Sequence, residues 1–98
     1  MKETKEELLK KVIEIESVKC KEDAYKYMIA KYIYSSKSKK KSKNMLIVMI
    51  SASSIENYFN IELNNDYMQK LIENFLRTVC IHEIDIYDYS SSIINYYE

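Results

Sequence analysis

Apolar residues recur along most of the chain at three- and four-residue spacing, which is the periodicity of an amphipathic helix. In the first segment this stripe includes Leu8 and Val12. Thr4 and Glu7 precede it and fit a capping box, in which the two side chains satisfy backbone N–H groups at a helix start. The pattern therefore predicts a first helix over 4–17.

A second helix is predicted over 20–34. Glu22 and Asp23 lie in its first turn, where acidic side chains suit the helix dipole. Serines and lysines dominate the residues that follow, so we expect an exposed linker over 35–43. The apolar positions of this helix form two rows, Ala24, Met28 and Tyr32, and Tyr25, Ile29 and Ile33.

The segment over 44–60 is ambiguous. Its apolar run, Met45 to Ile50, is typical of a buried strand when taken alone. Taken with Ala52 and Phe59, the run continues as a stripe at helical spacing. Because a lone strand would lack a partner, we predict one buried helix over 44–60.

A fourth helix has the clearest stripe in the chain. It follows Asn64, Asn65 and Asp66, residue types that cap helix starts. The stripe consists of Met68, Leu71, Ile72, Phe75, Leu76 and Val79.

The C-terminal segment is less regular. Residues 82–89 alternate between polar and apolar, which favours a short strand near 83–88. Ser90 to Ser92 could then cap a short final helix that runs through Tyr97.

Together these patterns predict one all-α domain over 1–98, a compact bundle of four to five helices, with the strand near 83–88 as an open alternative. The chain has no glycine. Tight hairpins need the positive φ that glycine adopts most easily, so a many-stranded sheet is not expected. The predicted core comprises Leu8, Val12, Met28, Ile29, Val48, Phe59, Leu71, Ile72, Phe75 and Leu76.

Composition narrows the possible functions. Without glycine the chain cannot contain the phosphate-binding loops of P-loop or dinucleotide-binding proteins. Proline and tryptophan are also absent, whereas Lys, Asn, Ile and Tyr are abundant. Their codons are A/T-rich, which indicates a gene from a low-G+C genome, one of its phages or an A/T-rich virus.

Charge is divided unevenly between the two halves of the chain. Residues 1–43 hold thirteen lysines against seven acids, a charge of +6, and residues 44–98 hold two basic residues against eight acids, a charge of −6. The formal net charge of zero conceals this polarity. It indicates either a charged interaction surface or halves that attract each other within the fold.

The start of the chain lacks the apolar core of a signal peptide, and the longest apolar run has six residues, too few to span a membrane. We therefore expect a soluble protein in the cytoplasm, that of the host cell if a phage or virus encodes it. Cys20 and Cys80 are predicted to be buried free thiols.

The basic stretch over 37–43 could contact nucleic acid through counterion release. It contains no aromatic residue on which bases could stack, and the chain has a single Arg to read base edges. A solvated linker is therefore favoured over a nucleic-acid site. The lysines concerned are Lys37, Lys39, Lys40, Lys41 and Lys43.

Segment 54–75 resembles a degenerate helix-turn-helix, with Asn60 at the turn. The presumed recognition helix carries Asp66 and Glu73, which DNA phosphates would repel. Two packed helices joined by a polar turn are the favoured interpretation.

His82, Glu83, Asp85 and Asp88 form the cluster that most resembles a chemical site. The zinc-protease pattern needs a second histidine where this chain has Ile86. We therefore predict no catalytic residue, no metal site, no cofactor and no enzymatic activity.

Tyrosines mixed with acids crowd the C-terminus. Tyrosine combines a large apolar ring with a polar tip and is common at protein interfaces. We therefore expect a protein-binding inhibitor or adaptor, similar in profile to phage and viral inhibitors such as anti-CRISPR proteins, whose partner has a basic surface or groove. A small DNA- or RNA-binding regulator that uses 37–43 or 54–75 is the alternative. The predicted partner-binding residues are Asp85, Tyr87, Asp88, Tyr89, Tyr96, Tyr97 and Glu98.

Overall fold

The computed structural model describes residues 4–37, 47 and 49–98, and these residues form five helices without a strand. The all-α prediction is therefore confirmed, and the alternative of a strand near 83–88 is wrong. The helices are α1 (Lys5–Val18), α2 (Lys21–Lys37), α3 (Ala52–Phe59), α4 (Asn65–Ile81) and α5 (Ile86–Tyr97).

Side-chain caps fix where four of these helices begin. The Thr4 hydroxyl accepts a hydrogen bond from the Glu7 N–H at 3.2 Å, as the sequence predicts for α1. Ser51 and Asn64 make the equivalent bonds at the starts of α3 and α4. Such bonds satisfy backbone donors that have no partner within the helix.

The second helix is longer than predicted. It continues to Lys37, and the hydroxyls of Ser35 and Ser36 donate to the Tyr32 carbonyl at 2.7 and 3.1 Å. Ser36 is buried. Residues 35–37 of the predicted linker therefore belong to α2, where the Ser35 and Ser36 hydroxyls bond back to the preceding turn. Residues 38–43 lie outside the described residues.

The prediction of one continuous helix over 44–60 is wrong. Ile47 and Met49 have helical backbone, but Ile50 and Ser51 do not, and α3 starts afresh at Ala52. The Ser51 side chain interrupts the helical hydrogen bonding because it takes the Ser54 N–H for itself.

The segment over 83–88 is a turn followed by a helix. Glu83 has a φ of 52°, and Asp85 caps α5, which begins at Ile86. The alternating pattern therefore spans a helix end, a turn and a helix start. Ser90 does not cap a helix, since it lies buried within α5 and donates to the Ile86 carbonyl at 2.8 Å.

The turn after α3 needs positive φ, and Asn60 supplies it in place of glycine. Its φ and ψ are 57° and 46°. Asparagine tolerates this left-handed conformation better than most residues do. The Asn60 and Ile61 N–H groups then donate to the last carbonyls of the helix, those of Asn57 and Glu56.

The central helix of the fold is α2, which contacts each of the other four described helices. The predicted core is confirmed at seven positions, while Leu71 and Leu76 are only partly buried and Val48 lies outside the described residues. None of the helices in the described ranges has both the length and the apolar character needed to cross a membrane. The seven confirmed core residues are Leu8, Val12, Met28, Ile29, Phe59, Ile72 and Phe75.

Candidate protein-binding surface

One face of α5 is exposed along its whole length. Asp85, Asp88, Ser92 and Tyr96 follow one another at three- and four-residue spacing, which places them on the same side of the helix. The Tyr96 side chain is 71% exposed, and Asp88 and Ser92 are also exposed. We call Asp88, Ser92 and Tyr96 the α5 face. The opposite side of the helix, which packs on the core, carries Ile86, Tyr87, Ser90, Ile93 and Ile94.

Two of the predicted contact tyrosines lie mainly within the fold. Tyr87 is only 8% exposed and belongs to the core. Tyr89 is partly buried, and its ring centroid lies 4.9 Å from that of Phe75. Both rings therefore offer a partner much less area than Tyr96 does.

Tyr97 and Glu98 tie the end of α5 to α2. The Tyr97 hydroxyl donates to Asp23 Oδ1 at 2.6 Å, and the Tyr27 hydroxyl donates to Glu98 Oε1 at 2.8 Å. Lys31 Nζ forms an ion pair with Glu98 Oε1 at 2.9 Å. The ion pair between Lys31 and Glu98 therefore links the basic and acidic halves of the chain within the fold.

These contacts shift the pKa values of the groups involved. Hydrogen bonds, from Tyr97 first and then from Cys20, hold the pKa of the Asp23 carboxyl below its ordinary value. Burial, followed by the bond to Asp23, raises the pKa of Tyr97. Partial burial alone would raise the pKa of Glu98, but its hydrogen bonds with Lys31 and Tyr27 outweigh burial and lower it. Both carboxylates are thus stabilised in the charged form by groups on α2 and α5.

The remaining predicted acids differ in their availability to a partner. Asp85 is half-buried, and its Oδ1 accepts from the N–H groups of Tyr87 and Asp88 at 2.9 and 3.2 Å. Asp88 is exposed in the first turn of the same helix. Of the seven predicted contact residues, Asp88 and Tyr96 are therefore the two most fully exposed towards solvent on α5.

A hollow of about 410 Å³ lies beside the exposed face of α5, against the start of α2. Lys19 Nζ lies 4.6 Å from the centroid of the Tyr96 ring. Sequence reasoning missed Lys19 and Lys26, because nothing in their spacing shows that α5 packs beside them. We call this hollow the Lys19–Tyr96 hollow, and its lining residues are Lys19, Asp23, Lys26, Ser92, Ile93, Tyr96 and Tyr97.

A second hollow, of about 420 Å³, has a mainly apolar lining where α4 ends and α5 begins. Cys80 lines it and is exposed, and so is Cys20 at the start of α2. The prediction of buried thiols is therefore wrong, since both cysteines lie at helix ends on the surface. The lining residues are Ile47, Leu76, Val79, Cys80, Glu83, Ile84 and Ile86.

The basic stretch is described only at its beginning. Lys37 is the last residue of α2, and its Nζ lies 5.6 Å from the ring centroid of Tyr87 and 5.7 Å from that of Tyr34. The other four predicted lysines, Lys39, Lys40, Lys41 and Lys43, lie outside the described residues.

The candidate helix-turn-helix corresponds to α3, the turn over 60–64 and the first part of α4. On α4 the exposed Asp66 and Glu73 accompany the exposed Lys70 and Arg77. These two acids and two bases balance, so this helix has no excess of positive charge for a phosphate backbone.

The residues of the His82 cluster are dispersed. His82 is exposed at the end of α4, and Asp85 is occupied with capping α5. Among residues 4–37, 47 and 49–98, no group of three or more His, Cys, Asp or Glu side chains could hold a metal ion. No family model, curated protein or solved structure matches the chain.

Proposed function

We propose that this chain is a non-catalytic protein-binding inhibitor or adaptor and that the α5 face is its contact surface. The observation that carries the proposal is the 71% exposure of the Tyr96 side chain on a helix whose other tyrosines are largely packed. A tyrosine ring supplies a large contact area with few rotatable bonds, and tyrosines are enriched among residues that dominate binding energy.

The charge of this surface favours a basic partner. Asp88 is exposed on the same helix face as Tyr96, and Asp85 lies one turn before it. The C-terminal half that contains them carries a net charge of −6. Complementary charge accelerates encounter with a partner, and the desolvated aromatic side chain slows dissociation. We therefore propose that the partner presents a basic surface or groove.

The class of partner follows from the profile of the chain. It is short and charge-polarised, and its composition is that of an A/T-rich gene. Small phage and viral inhibitors have a similar profile, so we propose a host nucleic-acid enzyme with a defence role, such as a CRISPR effector, as the target in the host cytoplasm. Occupying the nucleic-acid channel of such an enzyme would block its substrate without any catalysis.

The proposal can be tested by affinity capture with matched tyrosine variants. Tyr34 is a suitable control because its side chain is 44% exposed near the opposite end of α2. We expect one host protein to be retained by the wild-type chain and by Tyr34→Ala, and its affinity to fall at least about tenfold with Tyr96→Ala. Asp88→Lys should mainly slow association. The proposed surface would be contradicted if both tyrosine variants kept full binding, or if both lost it.

The alternative of a nucleic-acid regulator gains no support from the described residues. A gel-shift titration at low salt separates the two functions. A regulator that uses the basic stretch would bind in a salt-sensitive way and would weaken when Lys39, Lys40 and Lys41 are changed to Ser. We expect no shift at tens of micromolar protein.

A further inference from the structure

The Lys19–Tyr96 hollow shares Ser92 and Tyr96 with the α5 face and adds Lys19 and Lys26, which the proposed protein contact does not use. It lies between the first turns of α2 and the C-terminal half of α5. Its volume of about 410 Å³ falls within the range of small-molecule pockets, roughly 300 to 1,000 Å³. Polar and apolar groups share the lining, as in sites that orient a small ligand.

The positive charge in the hollow exceeds the negative charge. Its one carboxylate, Asp23, already accepts hydrogen bonds on both oxygens, from the Tyr97 hydroxyl and from the Cys20 thiol at 2.6 and 3.0 Å. Lys26 makes no hydrogen bond or ring contact with any described residue, although it and Lys19 both attract the Asp23 carboxylate electrostatically. Together with Lys19 it therefore leaves a net positive charge that is available to an anion.

An aromatic ring lies next to these cations. Lys19 Nζ lies 4.6 Å from the centroid of the exposed Tyr96 ring. The Tyr97 and Tyr96 rings pack edge-to-face, with their centroids 4.9 Å apart. Tyr97 is itself fixed by its bond to Asp23, so Tyr96 has a rigid neighbour. Aromatic side chains of this kind stack on nucleobases. The Ser92 hydroxyl, on the same face, donates to the Asp88 carbonyl at 3.1 Å and can still accept a hydrogen bond.

We infer that the Lys19–Tyr96 hollow binds a mononucleotide, with the base against Tyr96 and the phosphate between Lys19 and Lys26. The phosphate would attract the Lys19 ammonium away from the Tyr96 ring, and the base could then stack on the exposed ring face. This site overlaps the α5 face at Ser92 and Tyr96, so a nucleotide and the proposed protein partner would compete for Tyr96, whereas the anion contacts come from α2 and the residue before it.

The test is a titration of the isotopically labelled full chain with AMP, followed by NMR. We expect saturable shifts confined to the amides around Lys19, Asp23, Lys26 and Ser92. Adenosine and inorganic phosphate, titrated separately, should each bind at least about tenfold more weakly, because each supplies only half of the contacts. Failure of the proposed function would leave these results unchanged, since no protein partner is present.

Variants assign the contacts. Lys26→Ser should weaken AMP binding by about tenfold or more, whereas Lys10→Ser, an exposed lysine on α1, should leave it unchanged. Lys26→Gln keeps most of the aliphatic stem and serves as a second variant if the serine variant misfolds. Tyr96→Phe should retain binding, and Tyr96→Ala should lose it.

Three results would overturn the inference. The first is the absence of a saturable shift up to about 5 mM AMP, since weaker binding would be worth less than about 3 kcal/mol. The second is equal affinity for AMP and phosphate alone, which would show that the ring is not recognised. The third is an equal loss in the Lys10→Ser and Lys26→Ser variants.

Discussion

The Tyr97 hydroxyl donates a hydrogen bond of 2.6 Å to Asp23 Oδ1, joining the last turn of α5 to the first turn of α2 across 74 residues of sequence. Hydrogen bonds to a carboxylate are shorter and stronger than those between neutral groups. Together with the bond between Tyr27 and Glu98, it holds the C-terminal end of α5 against α2. Tyr97 therefore stabilises the fold, whereas its neighbour Tyr96 faces solvent.

The first prediction concerns this pair of neighbouring tyrosines. Tyr97→Phe should lower the free energy of unfolding by about 1.5 kcal/mol, because it removes a hydrogen bond to a charged group and keeps the ring. Tyr96→Phe should change it by less than about 0.5 kcal/mol, as surface substitutions usually do. Urea denaturation measures both. An equal loss of unfolding free energy in the two variants would contradict the conclusion that Tyr97, and not Tyr96, stabilises the fold.

The second prediction concerns acid. Because the pKa of Asp23 is lowered in the folded chain, its contribution to stability is present above the unfolded pKa, about 3.8, and is lost as the pH falls from there through the lower folded pKa. The wild type should therefore lose more stability than Asp23→Asn between about pH 5 and pH 3. Denaturation at a series of pH values checks this. Parallel pH profiles of the two chains would show that the Asp23 carboxylate does not contribute to stability. The variant should still lose some stability in acid, because the pKa of Glu98 is also lowered.

The third prediction concerns the core. Phe75 is 3% exposed and packs against Tyr89. Phe75→Ala should lower the free energy of unfolding by about 3–5 kcal/mol, because it removes buried apolar area and leaves a cavity. Ile81→Ala is the control, since that side chain is 67% exposed. A loss below about 0.5 kcal/mol for Phe75→Ala would place this ring outside the core.

The fourth prediction concerns the thiols. Both cysteines are exposed, so the folded chain should react with two equivalents of Ellman's reagent without denaturant. Cys20→Ser and Cys80→Ser should each remove one equivalent. Reaction that requires denaturant would mean that the thiols are covered in solution.

Periodicity was sufficient to predict the helices whose apolar stripe is clear and whose cap is a familiar residue. Thr4 before α1 and Asn64 before α4 are of this kind. Prediction failed where one side chain overrides the pattern. Ser51 interrupts the predicted helix over 44–60 although the apolar stripe continues past it, and Asp85 caps a helix within an alternating segment. Where these helices begin depends on single side-chain hydrogen bonds, and the spacing of apolar residues does not reveal such bonds.

The candidate site was harder to predict than the fold. Tyrosine is found both in cores and at surfaces, so composition could not separate buried Tyr87 from exposed Tyr96. The helical spacing of α5 separates them, but the alternating pattern near 83–88 favours a strand around Tyr87. The contact between Asp23 and Tyr97 depends on how α2 and α5 pack, and a single sequence does not show which distant residues meet.

Site-specific photo-crosslinking tests the central claim of a protein-binding α5 face most directly. A photoreactive phenylalanine derivative is placed at position 96 in one sample and at position 81, also highly exposed but on α4, in the other. In host lysate we predict one dominant adduct from position 96, which Asp88→Lys weakens, and no such adduct from position 81. The absence of an adduct at position 96, or the same adduct from both positions, would contradict the claim.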